Sequence, residues 1–222
     1  MPSVHFVDDY ERYLDNLLSQ YPLDEAMSLA VGGDYDRIGV MEADIVAMSG
    51  LFDGMSVLDL GCGSGRTATH IAARFPGISY TGIDVVQRLL NYAAKRCPPH
   101  FRFVCHHEVD IPLPDGAIDI AVAFSLFTHL LHEETYCYLQ ELHRVLKPDA
   151  LLVMSFLEFS REGHWPIFQA TVDARKQNAR NPLNMFIEEP VLRLWANKIG
   201  FTVELIDQKH PIGQTIAFLR RD

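Results

Sequence analysis

From Val57 to Phe156 the chain alternates short apolar runs with stretches whose apolar residues recur at helical spacing. Val57–Leu60 enters a glycine-rich turn; Thr67–Phe75 then has the period of a helix, and Pro76-Gly77 stops it. The alternation continues with a strand at Ile78–Ile83, a helix at Val85–Arg96 closed by Pro98-Pro99, and a strand at Phe101–Cys105. Ile118–Phe124 is apolar except for Asp119, as expected of a strand covered on both faces. A helix at Glu133–Leu146 and a strand at Leu151–Phe156 complete the series. Strands separated by helices run parallel and cross over right-handedly, so the pattern predicts a doubly wound, mostly parallel α/β sheet with helices on both faces. Pro190–Ile199 adds a helix, and Phe201–Ile206 with Thr215–Leu219 forms an antiparallel C-terminal strand pair, seven strands in all. Residues 1–50 read as a helical N-terminal cap and 51–222 as the main domain, interrupted by a long polar-aromatic insertion at 158–189.

In such a sheet, ligands sit beyond the carboxyl ends of the strands. The loop after Leu60 is the most informative one, within Val-Leu-Asp-Leu-Gly-Cys-Gly-Ser-Gly-Arg at 57–66. Gly61, Gly63 and Gly65 let the backbone turn sharply and approach a ligand closely. A GxGxG turn alone also fits a dinucleotide. Here the third glycine falls one place early for GxGxxG, and a carboxylate at Asp59 would repel a pyrophosphate. Asp59 favours instead the ammonium- and sulfonium-bearing end of S-adenosylmethionine. Asp84, at the tip of the second strand roughly 20 residues on, can accept both hydroxyls of a ribose. Capping the following helix is compatible with that role.

The formal charge of −10, from 19 basic and 29 acidic residues, argues against nucleic acid as the main partner. Arg220–Arg221 is the densest basic pair. A neutral or cationic small molecule suits this charge better. Asp8, Asp9 and Glu11 are unlike the start of a signal peptide. The longest apolar stretch, Ala117–Leu131, is broken by Asp119 and His129 and is too short to span a bilayer. The expectation is a cytoplasmic protein with no membrane partner. Its four cysteines form no CxxC pair, which speaks against disulfides and zinc. Cys105-His106-His107 suggests a metal cluster, but neighbours on a strand point to opposite faces, so no metal is expected.

Four segments resemble, in order and spacing, the motifs of class I S-adenosylmethionine-dependent methyltransferases. They are VLDLGCGSGR (57–66), YTGIDVV (80–86), IPLPDGAIDIAVAFSLFTHL (111–130) and ELHRVLKPDALLVMSF (141–156). The resemblance implies S-adenosylmethionine as cofactor, S-adenosylhomocysteine as product and a methyl-transfer activity. It implies that Asp59 and the Gly61-Cys62-Gly63 backbone hold the methionine portion, with Cys62 a small residue that fits and not a nucleophile. It implies that Asp84 binds the ribose, that Val85 flanks the adenine, and that Phe124 and Ser125 line the methyl-transfer region. The family usually has an acidic residue shortly before the Leu-Pro pair. In this sequence His107 falls at that position, and Glu108 with Val109, next along the chain, is assigned to the adenine amino group. Arg37 is the candidate for the cofactor's carboxylate, the alternative being a surface arginine.

Methyl transfer requires positioning, and a base only where the nucleophile must lose a proton. His129, at the end of the fourth strand, is the candidate base; the alternative is a histidine that packs beside the cofactor. Glu158, after the fifth strand, is the second catalytic candidate, against a solvated loop carboxylate. His132 reads as a solvent-facing residue at a helix start. His164, Trp165 and Phe168 form either a lid over a planar substrate or an ordinary surface helix. The expected activity is methylation of an oxygen or nitrogen of a small molecule. A catalytically silent binding protein, C-methylation and aminopropyl transfer on the same fold stay open. Nothing in the sequence speaks to the oligomeric state.

Overall fold

The computed structural model describes residues 7–178 and 183–222. Its strands are β1 (Ser56–Leu60), β2 (Ser79–Asp84), β3 (Arg102–Cys105), β4 (Ile118–Ala123), β5 (Leu146–Phe156), β6 (Phe201–Asp207) and β7 (Thr215–Arg221). They make one seven-stranded sheet in the order β3-β2-β1-β4-β5-β7-β6. The first five pair in parallel, while β7 lies antiparallel between β5 and β6. The mostly parallel sheet and its antiparallel edge are those expected from the strand–helix alternation.

Strand periodicity divides the core between the two faces. Leu58, Leu60 and Ala121 join Leu139 and Leu142 of α6 (His132–Val145) on one side. Val57, Ile120 and Val122 meet Ile45 and Val46 of α3 (Tyr35–Met48) and Ile71 of α4 (Arg66–Ala72) on the other. Leu139 and Leu142 are fully buried, each contributing ~1.5–3 kcal/mol. Leu14 of α1 (Val7–Gln20) and Met27 of α2 (Leu23–Leu29) pack on Val86 and on Leu89 of α5 (Gln87–Arg96).

Two segments differ from the sequence expectation. Strand β5 begins at Leu146, paired with Ile118, before a register shift carries Leu151 opposite Ile120. Lys147 precedes a proline, which disfavours helical backbone there. Its ammonium pairs with Asp119 at 2.7 Å, and the other Asp119 oxygen accepts the Ser56 amide at 2.8 Å. Within 158–189 the chain forms α7 (Trp165–Lys176), none of whose residues is buried. The helix α8 (Glu189–Ile199) follows. Among the described residues, no helix is long and apolar enough to cross a membrane.

Strand order reverses between β1 and β4, which diverts the loops after them to opposite sides and opens a crevice at their carboxyl ends.

Candidate functional site

A cavity of about 250 Å³ occupies that crevice. Asp59, Gly61, Cys62 and Gly63 enter it from β1, Asp84 and Val85 from β2, and Phe124, Ser125 and His129 from β4. Parallel strands aim these sequence-distant loops at one point. Arg37, Glu108, Val109 and Glu158 do not line the cavity.

Gly61 and Gly63 have φ of 78° and 54°, where a side chain is strained. A Cβ on Gly63 would stand 2.5 Å from a Val31 methyl, so the loop also touches the turn that follows α2. The Gly63 amide donates to one oxygen of Asp84 and the Val86 amide to the other, both at 2.9 Å. Each carboxylate oxygen keeps a second lone pair. Withdrawal from solvent raises the Asp84 pKa, and the two amides pull against the rise.

Asp59 is buried and accepts the Tyr80 hydroxyl at 2.5 Å. Burial pushes its pKa up to about 7, Glu42 and Asp84 push the same way, and the Tyr80 bond opposes them. A cation placed beside it would favour the ionised form.

The chain buries a further pair that sequence reasoning missed. Glu42 of α3 is fully enclosed, and its oxygens accept from Arg66 at 2.5 and 3.0 Å and from the Thr67 hydroxyl at 2.7 Å. Arg66 also donates to the Val31 carbonyl. Both residues line the cavity. A signal existed: Glu42 shares a helical face with Gly39, Ala43 and Val46, where an acid must find a buried partner. Arg37, by contrast, is well exposed and pairs with Asp34 at 2.5 Å.

His129 lies edge-on to Tyr10 at 5.5 Å, and its Nδ1 meets the Leu183 carbonyl at 2.6 Å. A carbonyl can only accept, so Nδ1 carries the proton and Nε2 of the neutral ring is an acceptor. Burial lowers the His129 pKa. His132 begins α6 and is exposed, as expected, while its Nε2 meets the Phe186 carbonyl at 3.0 Å beside Trp195.

Glu158 is fully buried, neither in the cavity nor solvated. One oxygen accepts the Thr215 hydroxyl at 2.6 Å and the other the Glu189 amide at 3.2 Å, tying β5 to β7 and to the start of α8. His164 is buried beneath it, bonded to the Glu158 backbone and the Gly213 carbonyl. Phe168 packs with Phe159, Trp165 and Phe186 away from the cavity lining.

Glu108 is exposed, its carbonyl accepting from Tyr138 at 3.1 Å, and Val109 is core. Cys105 and His107 do meet, at 3.4 Å, because the strand ends between them. Among the described residues no group of three metal-ligating side chains forms. Ser125, Ser155 and Gln214 make a hydrogen-bonded ring at the cavity wall, and nothing in the sequence pattern links those three positions.

The strand order, the left-handed glycine loop and the acid at the end of β2 together build a doubly wound α/β fold with a ligand crevice at its switch point. Residues 57–149 match the model of a methyltransferase domain. It is similar to a tRNA N(3)-cytidine methyltransferase of Gallus gallus, 29% identical over 107 residues, 44% of this chain and 29% of that protein. An O-methyltransferase of Aspergillus sclerotiorum is 32% identical over 111 residues, 47% of this chain and 40% of the relative. The chain thus spans less than half the length of these relatives. In fold it is similar to the magnesium protoporphyrin IX methyltransferase of Synechocystis PCC 6803 with bound SAH, with a TM-score of 0.67 at 16% identity over 98% of this chain and 97% of that one.

Proposed function

We propose that the chain is an S-adenosylmethionine-dependent methyltransferase acting on an oxygen or nitrogen nucleophile of a small molecule. The observation that carries this reading is the convergence of Asp59, the left-handed glycines and Asp84 on one cavity, with Phe124, Ser125 and His129 opposite.

The residues present fit the cofactor. The open lone pairs on Asp84 suit the two hydroxyls of a ribose. Gly61 and Gly63 leave a cradle that side chains would fill. Asp59, costly to ionise alone, suits the neighbourhood of an ammonium and a sulfonium. Val85 and Leu89 supply apolar surface for a base. The bound cofactor supplies a methyl group activated by its sulfonium. The protein's part is to orient the acceptor, exclude water and take up a proton where the nucleophile carries one. Nε2 of His129 is the group proposed to take it. Arg37 and Glu158 are left out of the proposed site, and Glu108 and Val109 adjoin it through Tyr138.

The relatives' names span tRNA, porphyrin and other acceptors. Two features favour a small molecule here: the charge of −10, which opposes a polynucleotide, and a cavity walled by the N-terminal segment through Tyr10 and Val31. The deciding experiment is calorimetric titration with S-adenosylhomocysteine and with NAD. We expect S-adenosylhomocysteine alone to bind and Asp84→Ala to weaken it at least tenfold, about the loss of one or two hydrogen bonds to a charged group. Preference for NAD would overturn the reading.

A further inference from the structure

The cavity wall at β4, β5 and β7 carries a polar device of which the reading above uses only the position of Ser125. Ser125 follows β4 in left-handed backbone at φ 58°, an uncommon conformation for a side-chain-bearing residue that persists only where its surroundings hold it. Three bonds hold it. Its amide donates to Ser155 Oγ at 2.7 Å, its carbonyl accepts from Thr128 Oγ1 at 2.8 Å, and its Oγ accepts from Gln214 Nε2 at 3.0 Å. Ser155 Oγ closes the ring by donating to Gln214 Oε1 at 2.6 Å.

The direction of every proton in this ring is determined. Ser155 is 1% exposed, and its oxygen already receives the Ser125 amide. Its own hydrogen must therefore find an acceptor within the protein, and the Gln214 carbonyl oxygen is the one in reach. That fixes the amide orientation and turns Nε2 toward Ser125. Ser125 Oγ then acts as an acceptor inside the ring, so its hydrogen points out of it. Among the described residues no acceptor takes that hydrogen, nor the second hydrogen of Gln214 Nε2. Both residues line the cavity.

We propose that these two unspent donors form the acceptor subsite and select a methyl acceptor by a neutral hydrogen-bond-accepting oxygen, such as a carbonyl. The proposal rests on the methyltransferase reading above. An N–H edge set against this pair would face both donors and find only the second lone pair of Ser125 Oγ to accept it. An anion is disfavoured by the carboxyls of Asp59 and Asp84 in the same cavity. Phe124, Leu126 and Leu130 add apolar surface to the same lining, beside His129, which suits a hydrocarbon or aromatic skeleton behind one oxygen. A site built to bond a particular polar group discriminates strongly, because its buried partners are left unpaired by an analogue lacking that group.

The test uses the full chain loaded with S-adenosylhomocysteine and matched probes, acetophenone, 1-phenylethylamine and ethylbenzene with their naphthyl counterparts, read by ligand-observed NMR. The ketone of each set should bind at least tenfold more tightly than its amine or hydrocarbon. Gln214→Glu keeps the shape but makes an acceptor of the group facing Ser125; it should turn the Ser125 hydrogen inward and reverse the preference toward the amine. Ser125→Gly keeps the left-handed backbone and removes one donor, so ketone affinity should fall about tenfold. If Gln214→Glu fails to fold, Ser125→Gly decides. Equal binding across a set, no ketone binding, or ketone preference that survives either variant overturns the proposal while leaving the cofactor reading intact. A wild-type protein that does not take up S-adenosylhomocysteine overturns the cofactor reading, and this one with it.

Discussion

Asp59 carries an acid into the core with one hydroxyl to meet it, and the consequence is a stability that depends on pH. A carboxyl whose folded pKa, about 7 here, exceeds the ~3.9 of an unfolded aspartate keeps its proton longer in the folded state. The cost of ionising it is absent below the unfolded value, grows as pH rises, and is fully present above the folded one. Asp59→Asn should therefore be stabilised relative to wild type at pH 8, with the difference shrinking by pH 5. Thermal melts across that range check it, and a constant difference would refute it. His129 behaves in the opposite sense. Burial lowers its pKa, so a base at Nε2 is unprotonated at neutral pH and is lost only as pH falls below the ordinary imidazole range. The acid limb of kcat/KM should lie below ~6.5 and vanish in His129→Ala. Should that variant keep the limb, His129 is not the base.

At the scale of elements, the glycine loop is held between β2 and the turn that follows α2. Gly63→Ala would bring a methyl to 2.5 Å from Val31 and force a left-handed alanine. The backbone part alone costs ~1–2 kcal/mol. We expect at least tenfold weaker S-adenosylhomocysteine binding, partly recovered in Gly63→Ala/Val31→Ala, which relieves the collision and leaves the backbone strain. Glu158 belongs to this scale too. Its carboxylate joins β5, β7 and α8, so Glu158→Ala strands a buried hydroxyl and a helix-start amide. The expected loss is about 2 kcal/mol, a fall in melting temperature of roughly 4–8 °C. Differential scanning calorimetry measures it; lost turnover with unchanged melting would mean that Glu158 acts on substrate.

Across the whole molecule, the N-terminal helices are fastened to α5 by polar contacts at the surface. Arg88 pairs with Asp15 at 2.7 Å and Glu11 at 2.9 Å, Tyr92 donates to Asp24 at 2.9 Å, and Arg96 lies over the rings of Tyr35 and Tyr92. Exposed pairs of this kind are worth little each and are screened by salt. The apolar contact beneath them is small, led by Leu14, Met27, Val86 and Leu89. Helix α1 should thus open more readily than β1 or β4, and a ligand touching Tyr10 and Val31 should slow the opening. Hydrogen exchange with and without S-adenosylhomocysteine tests both statements. Equal protection of α1 and the central strands would contradict the first.

Periodicity and turn chemistry are local, and the sequence by itself determined what depends on them: the seven strands, their parallel run, the glycine loop at 61–65 and the acid at Asp84. Each is written in adjacent residues, because strand alternation, helical spacing and left-handed turns are imposed within one or two turns of backbone. Which distant side chains meet was decided only by the tertiary structure. Arg66 finds Glu42 in α3 and Gln214 finds Ser125, pairings 24 and 89 residues apart. Arg37 stays outside the cavity and pairs with Asp34, three residues before it, a local contact that leaves it on the surface. Glu158 is drawn inward by Thr215 and Glu189, where its position after β5 suggested an open loop. The reason is physical: a buried polar group takes whichever partner the packed chain brings within about 3 Å, and that choice depends on the whole fold and not on its neighbours in sequence.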